Sequence, residues 1–217
     1  MHKGVLITFE GPEGGGKSTH IRLLAAYLRA RLAAGRRARG RQVLVTREPG
    51  GTALATGIRR LLLHGKNGIS PLAELLLYEA DRSQHVRETL MPALRRGTIV
   101  LCDRYTDSTV AYQGFGGGID RRAVASLNAI ASEGLQPHLT ILLDVDVKRG
   151  LQLAKRKKNR HDRLERAGLA FHRRVRAGFL ELAKKEPHRI RVIPQQKNVN
   201  DTQRRVRDAV DRYLKGK

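Results

Sequence analysis

The residues with the clearest chemistry lie near the N-terminus, where a glycine-rich segment precedes a lysine and a serine. Residues 11–18 read GPEGGGKS and fit the pattern G-x-x-x-x-G-K-[ST] at every fixed position. Glycines let consecutive backbone N–H groups curl around an anion without interference from a Cβ atom. In this pattern Lys17 can bridge β- and γ-phosphate oxygens, and the Ser18 hydroxyl can ligate Mg²⁺. The segment predicts a nucleoside triphosphate site without indicating which molecule receives the phosphate.

The context of this segment supports the prediction. An apolar run over residues 5–9 precedes it and a helical pattern over residues 17–34 follows it, as the phosphate-binding motif requires. The dipole of the following helix adds to the attraction for an anion. A glycine-rich turn before an ordinary helix is the weaker alternative. The predicted ATP-binding residues are Gly11, Pro12, Glu13, Gly14, Gly15, Gly16, Lys17, Ser18 and Thr19.

Three further segments each contribute an arginine to the same predicted edge of a sheet. Arg47 follows the second strand, Arg82 lies on a predicted helix, and Arg104 follows the third strand. Guanidinium groups suit bidentate capture of a phosphate. Tyr78 lies four residues before Arg82, so the two share one helix face, where the ring can stack on a base. Structural ion pairing is the alternative interpretation for each arginine.

The elements that must position these residues alternate between strands and helices. Strands are predicted over residues 5–9, 42–46, 98–102, 138–144 and 189–193. Helical patterns cover residues 17–34, 52–63, 71–95, 120–133, 147–185 (with a break near 159) and 201–214. Such alternation is typical of an α/β fold with a parallel sheet covered on both faces. Ligands of these sheets bind at the carboxyl ends of the strands.

Composition and charge narrow the class of protein. The 217 residues suit a single domain over residues 1–217, and the single cysteine excludes a disulfide framework. The sequence has no apolar run long enough to span a membrane and does not begin like a signal peptide, so we expect a cytoplasmic protein without membrane contact. The net charge of +23 predicts attraction for nucleic acid, acidic surfaces or phosphorylated small molecules.

Six segments together give the chain a specific resemblance to the thymidylate kinase family of P-loop nucleoside-monophosphate kinases. They are FEGPEGGGKST (9–19), TREPGGT (46–52), LLLYEADRSQH (75–85), DRYTDSTVAYQG (103–114), LTILLDVDV (139–147) and HDRLE (161–165). The resemblance implies phosphoryl transfer from ATP, with Mg²⁺, to dTMP, giving dTDP for dTTP biosynthesis. It also implies a three-layer α/β/α P-loop fold, a five-stranded parallel sheet of order 2-3-1-4-5, a small helical lid and commonly a homodimer.

The resemblance also assigns roles on the acceptor side. Glu13 lies near the sugar 3′-hydroxyl of dTMP, and Tyr112 lies near the 2′ position, where it favours deoxyribose. Tyr78 stands where the family usually has a phenylalanine stacked on thymine. Asp103 assists Ser18 in holding Mg²⁺, through water. The predicted dTMP-binding residues are Glu13, Arg47, Tyr78, Arg82, Arg104, Ser108, Thr109, Tyr112 and Gln113.

The family divides by the source of the positive charge over the transferring phosphoryl group. The variable positions of the glycine-rich segment, residues 12–15, contain no arginine. The chain therefore resembles the type, found in many bacteria, whose lid supplies that charge, and a lid is expected at about residues 150–165. The predicted catalytic residues are Lys17, Arg104, Arg156, Lys158 and Arg163. A merely solvated basic face is the alternative for the lid cluster.

Other interpretations stay open at this point. A kinase for another acceptor, such as dUMP or a nucleoside, is the nearest alternative, because Tyr78 departs from the family pattern. A nucleic-acid-binding protein is an alternative of a different class, favoured by the net charge, although only 4% of the residues are aromatic. The basic loop at 36–41 is interpreted as a solvated loop or an anion-binding patch. Cys102 is interpreted as a buried structural residue, and Asp144 and Asp146 as caps of the next helix rather than metal ligands.

Overall fold

The chain alternates strands and helices in a computed structural model that describes residues 3–34, 41–64, 68–157 and 167–216. The strands are β1 (Val5–Glu10), β2 (Val43–Arg47), β3 (Ile99–Asp103), β4 (Leu139–Asp144) and β5 (Ile190–Pro194). They form one parallel sheet in the order β2-β3-β1-β4-β5. Both the parallel pairing and the strand order match the expectation, and helices cover the sheet in a P-loop NTPase fold.

The helices connect consecutive strands or close the chain. They are α1 (Lys17–Ala34), α2 (Ala53–His64), α3 (Pro71–His85), α4 (Met91–Arg95), α5 (Thr106–Thr109), α6 (Arg121–Ala131), α7 (Val147–Lys157), α8 (Leu169–Lys185) and α9 (Val199–Lys215). A π-helical turn, Val86–Leu90, joins α3 to α4, and a second π-helical segment, Val110–Gly116, continues α5. No helix of the described ranges is long and apolar enough to cross a membrane.

The core lies on both faces of the sheet, because its central strand is apolar on both sides. All six residues of β1 are buried, the pattern of a strand covered from two directions. One face packs against α1 and α9, where Leu24 and Val206 are fully buried. The other face packs against the α3–α4 region and α8, where Leu94 and Val175 are fully buried. This arrangement fixes the strand ends, and so the loops that carry the chemistry.

Local capping explains where several helices begin. The Ser70 hydroxyl accepts a hydrogen bond from the backbone N–H of Ala73, and Pro71 occupies the first turn of α3. Asp146 Oδ1 accepts from the Arg149 N–H at 3.1 Å, which confirms Asp146 as a cap of α7. The basic stretch expected as a helix with a break is two separate helices, α7 and α8.

One helical segment was missed at the sequence level. Residues 106–116, which hold most of the DRYTDSTVAYQG segment, form α5 and its π-helical continuation. The segment is short and glycine-rich at its end, with Gly114, Gly116 and Gly117, and glycine disfavours helix by about 1 kcal/mol per residue. Its residues form a helix because buried contacts with α6 and α8 outweigh that weak local preference.

Candidate active site

A cavity of about 350 Å³ opens at the carboxyl ends of β1, β2 and β3. It joins the residues after β1 to those after β2 and β3, and α2, α3 and α7 close its sides. The predicted residues that line it are Glu13, Gly14, Gly15, Gly16, Lys17, Ser18, Thr19, Arg47, Tyr78, Arg82, Asp103, Arg104, Ser108, Thr109, Tyr112 and Gln113. The predicted donor and acceptor residues therefore face one shared space.

The glycine-rich loop after β1 requires glycine at two positions for steric reasons. Gly11 has φ +130°, and a Cβ atom there would lie 2.3 Å from the Leu143 carbonyl oxygen. Gly14 has φ +72°, and its Cβ atom would lie 1.9 Å from the carbonyl oxygen of Gly150 in α7. The loop can thus pack closely against β4 and α7 only without side chains at these two positions.

Lys17 folds back over the loop that precedes it. Its Nζ atom donates to the carbonyl oxygens of Gly11 and Pro12, both at 3.0 Å, and the residue is 8% exposed. Burial, reinforced by the nearby Arg104 guanidinium, lowers the pKa of Lys17 to about 8, while Glu13 and Asp103 oppose the shift. The ammonium group lies against the first two residues of the loop and can there stabilise the negative charge of a bound phosphate.

Two side-chain oxygen atoms that could ligate a metal ion lie close together beside the loop, at the start of α1. The Ser18 hydroxyl donates to Asp103 Oδ2 at 2.9 Å, and the two residues come from α1 and the end of β3. Hydroxyl and carboxylate oxygens suit Mg²⁺, which usually takes one or two protein ligands together with substrate phosphates and water. The described residues contain no cluster of three or more His, Cys, Asp and Glu side chains able to hold a metal. The pair therefore fits Mg²⁺ bound jointly with a nucleotide.

Arg104 joins the glycine-rich loop to the helix after β3. Its Nη2 atom donates to Glu13 Oε1 at 2.6 Å and to the Tyr112 hydroxyl at 3.0 Å, and the Tyr112 hydroxyl itself donates to Glu13 Oε1 at 2.9 Å. Arg104 has φ +71°, a left-handed conformation that is uncommon for a non-glycine residue. Burial raises the pKa of Tyr112 well above its ordinary value, so the phenol stays a neutral donor.

The buried carboxyl group of Glu10 helps to position Arg104 through Ser108. Glu10, the last residue of β1, accepts hydrogen bonds from the Tyr105 N–H at 2.7 Å and from the Ser108 hydroxyl. The Ser108 Oγ atom in turn accepts from Arg104 Nη1 at 3.1 Å. Burial, reinforced by the negative charge of Asp107, raises the pKa of Glu10 to about 8. The arginine is thus held in place by residues of β1 and of the missed helix.

Arg82 lines the cavity and is also part of a buried network of polar side chains. Its guanidinium is 2% exposed and donates to Glu48 Oε2, Glu79 Oε2 and Thr109 Oγ1, each at 2.9 Å, and to Asn128 Oδ1. Four of its five N–H donors are therefore engaged with protein. Its place in the cavity agrees with the expected acceptor role, which stays a prediction, and its ion pairs agree with the structural alternative as well.

The same network holds the loop after β2. Glu48 Oε1 contacts His85 Nδ1 at 2.9 Å, and His85 Nε2 contacts the Thr46 hydroxyl at 2.7 Å. Asp81 Oδ1 accepts from the Gly50 N–H at 2.7 Å, while its Oδ2 atom is buried and has no hydrogen-bond partner among the described residues. Burial, with the charge of Glu48 added, raises the pKa of Asp81 to about 7.

Arg47 and Tyr78 reach the cavity from its outer side. Arg47 is exposed at the end of β2, and Tyr78 is half-buried on α3, one turn before Arg82. Sequence reasoning did not identify Arg59 and Leu63 of α2, which also line the cavity. Their only signal is the helical spacing from residue 53 onward, which does not distinguish a cavity residue from a surface residue.

The expected lid lies only partly within the described residues. Arg156 is exposed on α7, and its neighbour Ala154 lines the cavity, so α7 approaches the site. Lys158 and Arg163 lie outside the described residues, as does most of the basic loop at 36–41. Their predicted roles therefore stay predictions.

Two residues that could be mistaken for functional groups have structural explanations. Cys102 is fully buried, as expected, and burial raises the pKa of its thiol well above the ordinary value. Asp144 receives two hydrogen bonds from Arg176 of α8, at 2.7 and 2.8 Å. It is therefore an ion-pair partner and does not cap α7.

The strand order, the glycine-rich loop before α1 and the lysine over that loop define a P-loop NTPase. Within this class, residues 9–206 match the family model described as "Thymidylate kinase". The chain belongs to the thymidylate kinase family.

Several relatives are similar along most of their length. The chain is 52% identical over 193 residues to a thymidylate kinase of Deinococcus radiodurans, covering 89% of each protein. It is 49% identical to a thymidylate kinase of Geobacter sulfurreducens, covering 95% of this chain and 96% of the relative. A crystal structure of thymidylate kinase from Ehrlichia chaffeensis superposes with a TM-score of 0.77 at 35% identity, covering 95% of this chain and 98% of that one.

Proposed function

We propose that this protein transfers the γ-phosphoryl group of ATP to dTMP, giving dTDP and ADP. The observation that carries the proposal is one shared cavity in which the P-loop, residues 11–18, faces Arg104 and Tyr112, both of which bond to its Glu13 side chain. A phosphoryl donor and a phosphorylated acceptor can therefore lie within reach of each other. Membership of the thymidylate kinase family supports dTMP as the acceptor.

The residues of the P-loop supply the donor half of the reaction. Backbone N–H groups of residues 13–18 hold the phosphates of ATP, at the N-terminus of α1. When ATP binds, the Lys17 ammonium group contacts β- and γ-phosphate oxygens in place of its two carbonyl partners or in addition to them. The negative charge of the phosphates raises the pKa of Lys17 and so keeps it protonated. Ser18 and Asp103 hold Mg²⁺, which when bound with ATP neutralises charge on the phosphates.

The residues after β2 and β3 supply the acceptor half. Arg47 and Arg104 bind the phosphate of dTMP, and Arg82 fixes the wall behind the base. Glu13 and Tyr112 contact the sugar, with Tyr112 close to the 2′ carbon. A phosphate oxygen of dTMP is already an anion, so the attack on the γ-phosphoryl group requires no general base. Positioning and charge stabilisation then account for catalysis.

The lid is proposed to supply the remaining positive charge. Residues 12–15 of the P-loop contain no arginine, and α7 brings Ala154 to the cavity with Arg156 two residues further on. Arg156, Lys158 and Arg163 are the proposed sources of charge over the transferring group. Closure over the cavity excludes water, which otherwise competes with dTMP for the phosphoryl group.

A direct test measures ADP release with purified protein, ATP and Mg²⁺, with and without an acceptor. We expect strong stimulation by dTMP, weaker stimulation by dUMP and little by thymidine, which lacks the phosphate that Arg47 and Arg104 bind. ATP turnover that is indifferent to dTMP contradicts the proposal. Equal use of dTMP and dUMP supports the broader alternative of a deoxyuridylate and thymidylate kinase.

A homodimer is also proposed, through a leucine-rich face formed by α2 and α3. Leu54 and Leu61 of α2 lie seven residues apart, Leu72 and Leu76 of α3 lie four apart, and all four are about half exposed. These spacings place each pair on one face of its helix. Exposed apolar side chains gathered on two adjacent helices are typical of an interface between protein chains. A second copy of this chain is the proposed occupant.

The dimer is tested by sedimentation of the double variant Leu72→Glu/Leu76→Glu. We expect the unmodified protein to sediment as a dimer and the variant as a monomer, because charges in an apolar interface are costly to bury. Val199→Glu, at an exposed valine on α9, is the matched control and should leave the dimer intact. A monomeric unmodified protein contradicts this proposal.

A cytoplasmic location and weak, salt-dependent adhesion to nucleic acid are further predictions that the sequence makes for this protein.

A further inference from the structure

A buried carboxylate fixes the orientation of a side-chain amide in the acceptor cavity. Gln113, on the π-helical segment after α5, lines the cavity and is 4% exposed. Its Nε2 atom donates to Glu74 Oε1 at 2.7 Å, and Glu74, on α3, is 7% exposed. The two residues lie 39 positions apart in sequence, so tertiary packing alone brings them together.

The carboxylate determines which end of the amide faces it. An amide has a donor end and an acceptor end, whereas a carboxylate only accepts. Turning the amide over would place two oxygen acceptors against each other in a buried location, which is unfavourable. The Oε1 atom of Gln113 therefore points away from Glu74, and no other residue in the described part of the chain donates a hydrogen bond to it.

A neighbouring hydroxyl has the opposite polarity. Thr109 lies four residues before Gln113, lines the same cavity, and accepts from Arg82 Nη2 at 2.9 Å. That hydrogen bond occupies a lone pair and leaves the hydroxyl proton to donate. An acceptor at Gln113 beside a donor at Thr109 is complementary to a ring N3–H next to a carbonyl oxygen. Thymine and uracil present that pair, whereas cytosine presents an N3 acceptor next to an amino group.

We propose that Glu74 is a positioning residue that holds the Gln113 amide with its oxygen towards the base, so that the site selects pyrimidines with an N3–H donor. The proposal rests on the proposed function, because it names how the acceptor base is recognised. Glu74 acts through Gln113, which is the residue that touches the base. Selection against cytosine bases is then a property of α3 as well as of the segment after β3.

The test compares dTMP with 5-methyl-dCMP, which keeps the methyl group and changes only the hydrogen-bonding edge. In Glu74→Gln the new amide can accept from or donate to Gln113, so the amide of Gln113 is free to turn. We expect the ratio of kcat/KM for dTMP over that for 5-methyl-dCMP to fall about tenfold, as expected for the loss of one oriented hydrogen bond. The ratio for dTMP over dUMP should not change, because both bases carry N3–H.

Two further variants separate positioning from a merely structural role. Gln113→Met removes both ends of the amide, so it should lower the ratio by itself, and adding Glu74→Gln to it should lower the ratio no further. Glu88→Gln, at an exposed glutamate, is the matched control and should behave like the unmodified protein. An equal loss of activity towards both nucleotides in Glu74→Gln, or an unchanged ratio in Gln113→Met, overturns the inference. An unmodified protein that does not use dTMP overturns the proposed function instead.

Discussion

The two walls of the cavity are built by different means. The donor wall, residues 11–19, consists mainly of backbone, and within the described part of the chain the side chain of Lys17 donates hydrogen bonds to two carbonyl oxygens of its own loop and to no other group. The acceptor wall, residues 46–51, 78–85 and 103–113, is held largely by hydrogen bonds between side chains. Its central residue, Arg82, donates to four residues from four different parts of the chain.

This difference separates residues that are available to bind a substrate from residues that hold the rest of the site in place. On the donor wall, the ammonium group that is expected to meet phosphate has two backbone carbonyl partners and no carboxylate partner among the described residues, and burial lowers its pKa to about 8. On the acceptor wall, four of the five N–H donors of Arg82 bond to protein, whereas the Arg47 guanidinium is exposed and makes no hydrogen bond to another described residue. Arginines that the sequence presents as equivalent therefore divide into a supporting residue and a residue available to a ligand.

The largest expected effect comes from the donor wall. Lys17→Ala should lower kcat about a thousandfold, because it removes a fixed charge from the transferring phosphoryl group. The fold should be retained, since burial of this ammonium already disfavours its charged form and its contacts are local. Steady-state kinetics and the circular dichroism melting temperature provide the two measurements. Lys184→Ala, at an exposed position of α8, is the control, and normal turnover in Lys17→Ala would remove Lys17 from the reaction.

The next effect concerns stability and separates two arginines of the acceptor wall. Arg82→Met should destabilise the protein by about 3 kcal/mol, because Glu48 and Glu79 are left buried without their cation. Arg47→Met should change the free energy of unfolding by less than about 0.5 kcal/mol, since Arg47 is exposed. It should instead raise the KM for dTMP. Urea unfolding monitored by circular dichroism measures both values, and equal destabilisation by the two variants would contradict the division of roles.

The donor wall was accessible to sequence analysis because its chemistry is local. A run of eight residues fixes where the loop turns, where α1 begins and where Lys17 and Ser18 lie, and the structure agrees at each point. Short apolar runs separated by helical patterns likewise predicted the strands to within about one residue at each end. The order of the strands came from the family resemblance, since periodicity does not specify which strands are neighbours.

The acceptor wall was accessible only in part. Its motifs marked the participants, but the partners of Arg82 include Glu48 and Asn128, which lie 34 and 46 residues away. No spacing rule connects such positions. The helix at 106–116 was missed because its glycines give a weak local preference, which tertiary packing overrides. The pairing of Glu74 with Gln113 has the same origin and was equally invisible in the sequence.

The smallest expected effect tests whether the acceptor wall carries excess buried negative charge. Asp81 faces Glu48, His85 and Arg82, and burial raises the pKa of its carboxyl to about 7 from an ordinary value of 3.8. The folded protein therefore binds a proton at Asp81 that the unfolded chain has released, across the range between those two values. The contribution of Asp81 to stability consequently falls as the pH rises from about 4 to about 7.

Asp81→Asn removes this titration while its amide oxygen can still accept from the Gly50 N–H. At pH 5 the variant should be no more stable than the unmodified protein, because the carboxyl is then protonated and uncharged in the fold. At pH 8 the variant should be more stable by on the order of 1 kcal/mol, since the unmodified protein then buries an additional charge beside Glu48. Urea unfolding at both pH values measures the difference, with the exposed Asp208→Asn on α9 as the control. A stability difference that does not change with pH would mean that Asp81 is charged throughout this range, with Arg82 as its balancing cation, and that the acceptor wall carries no excess buried negative charge at this position.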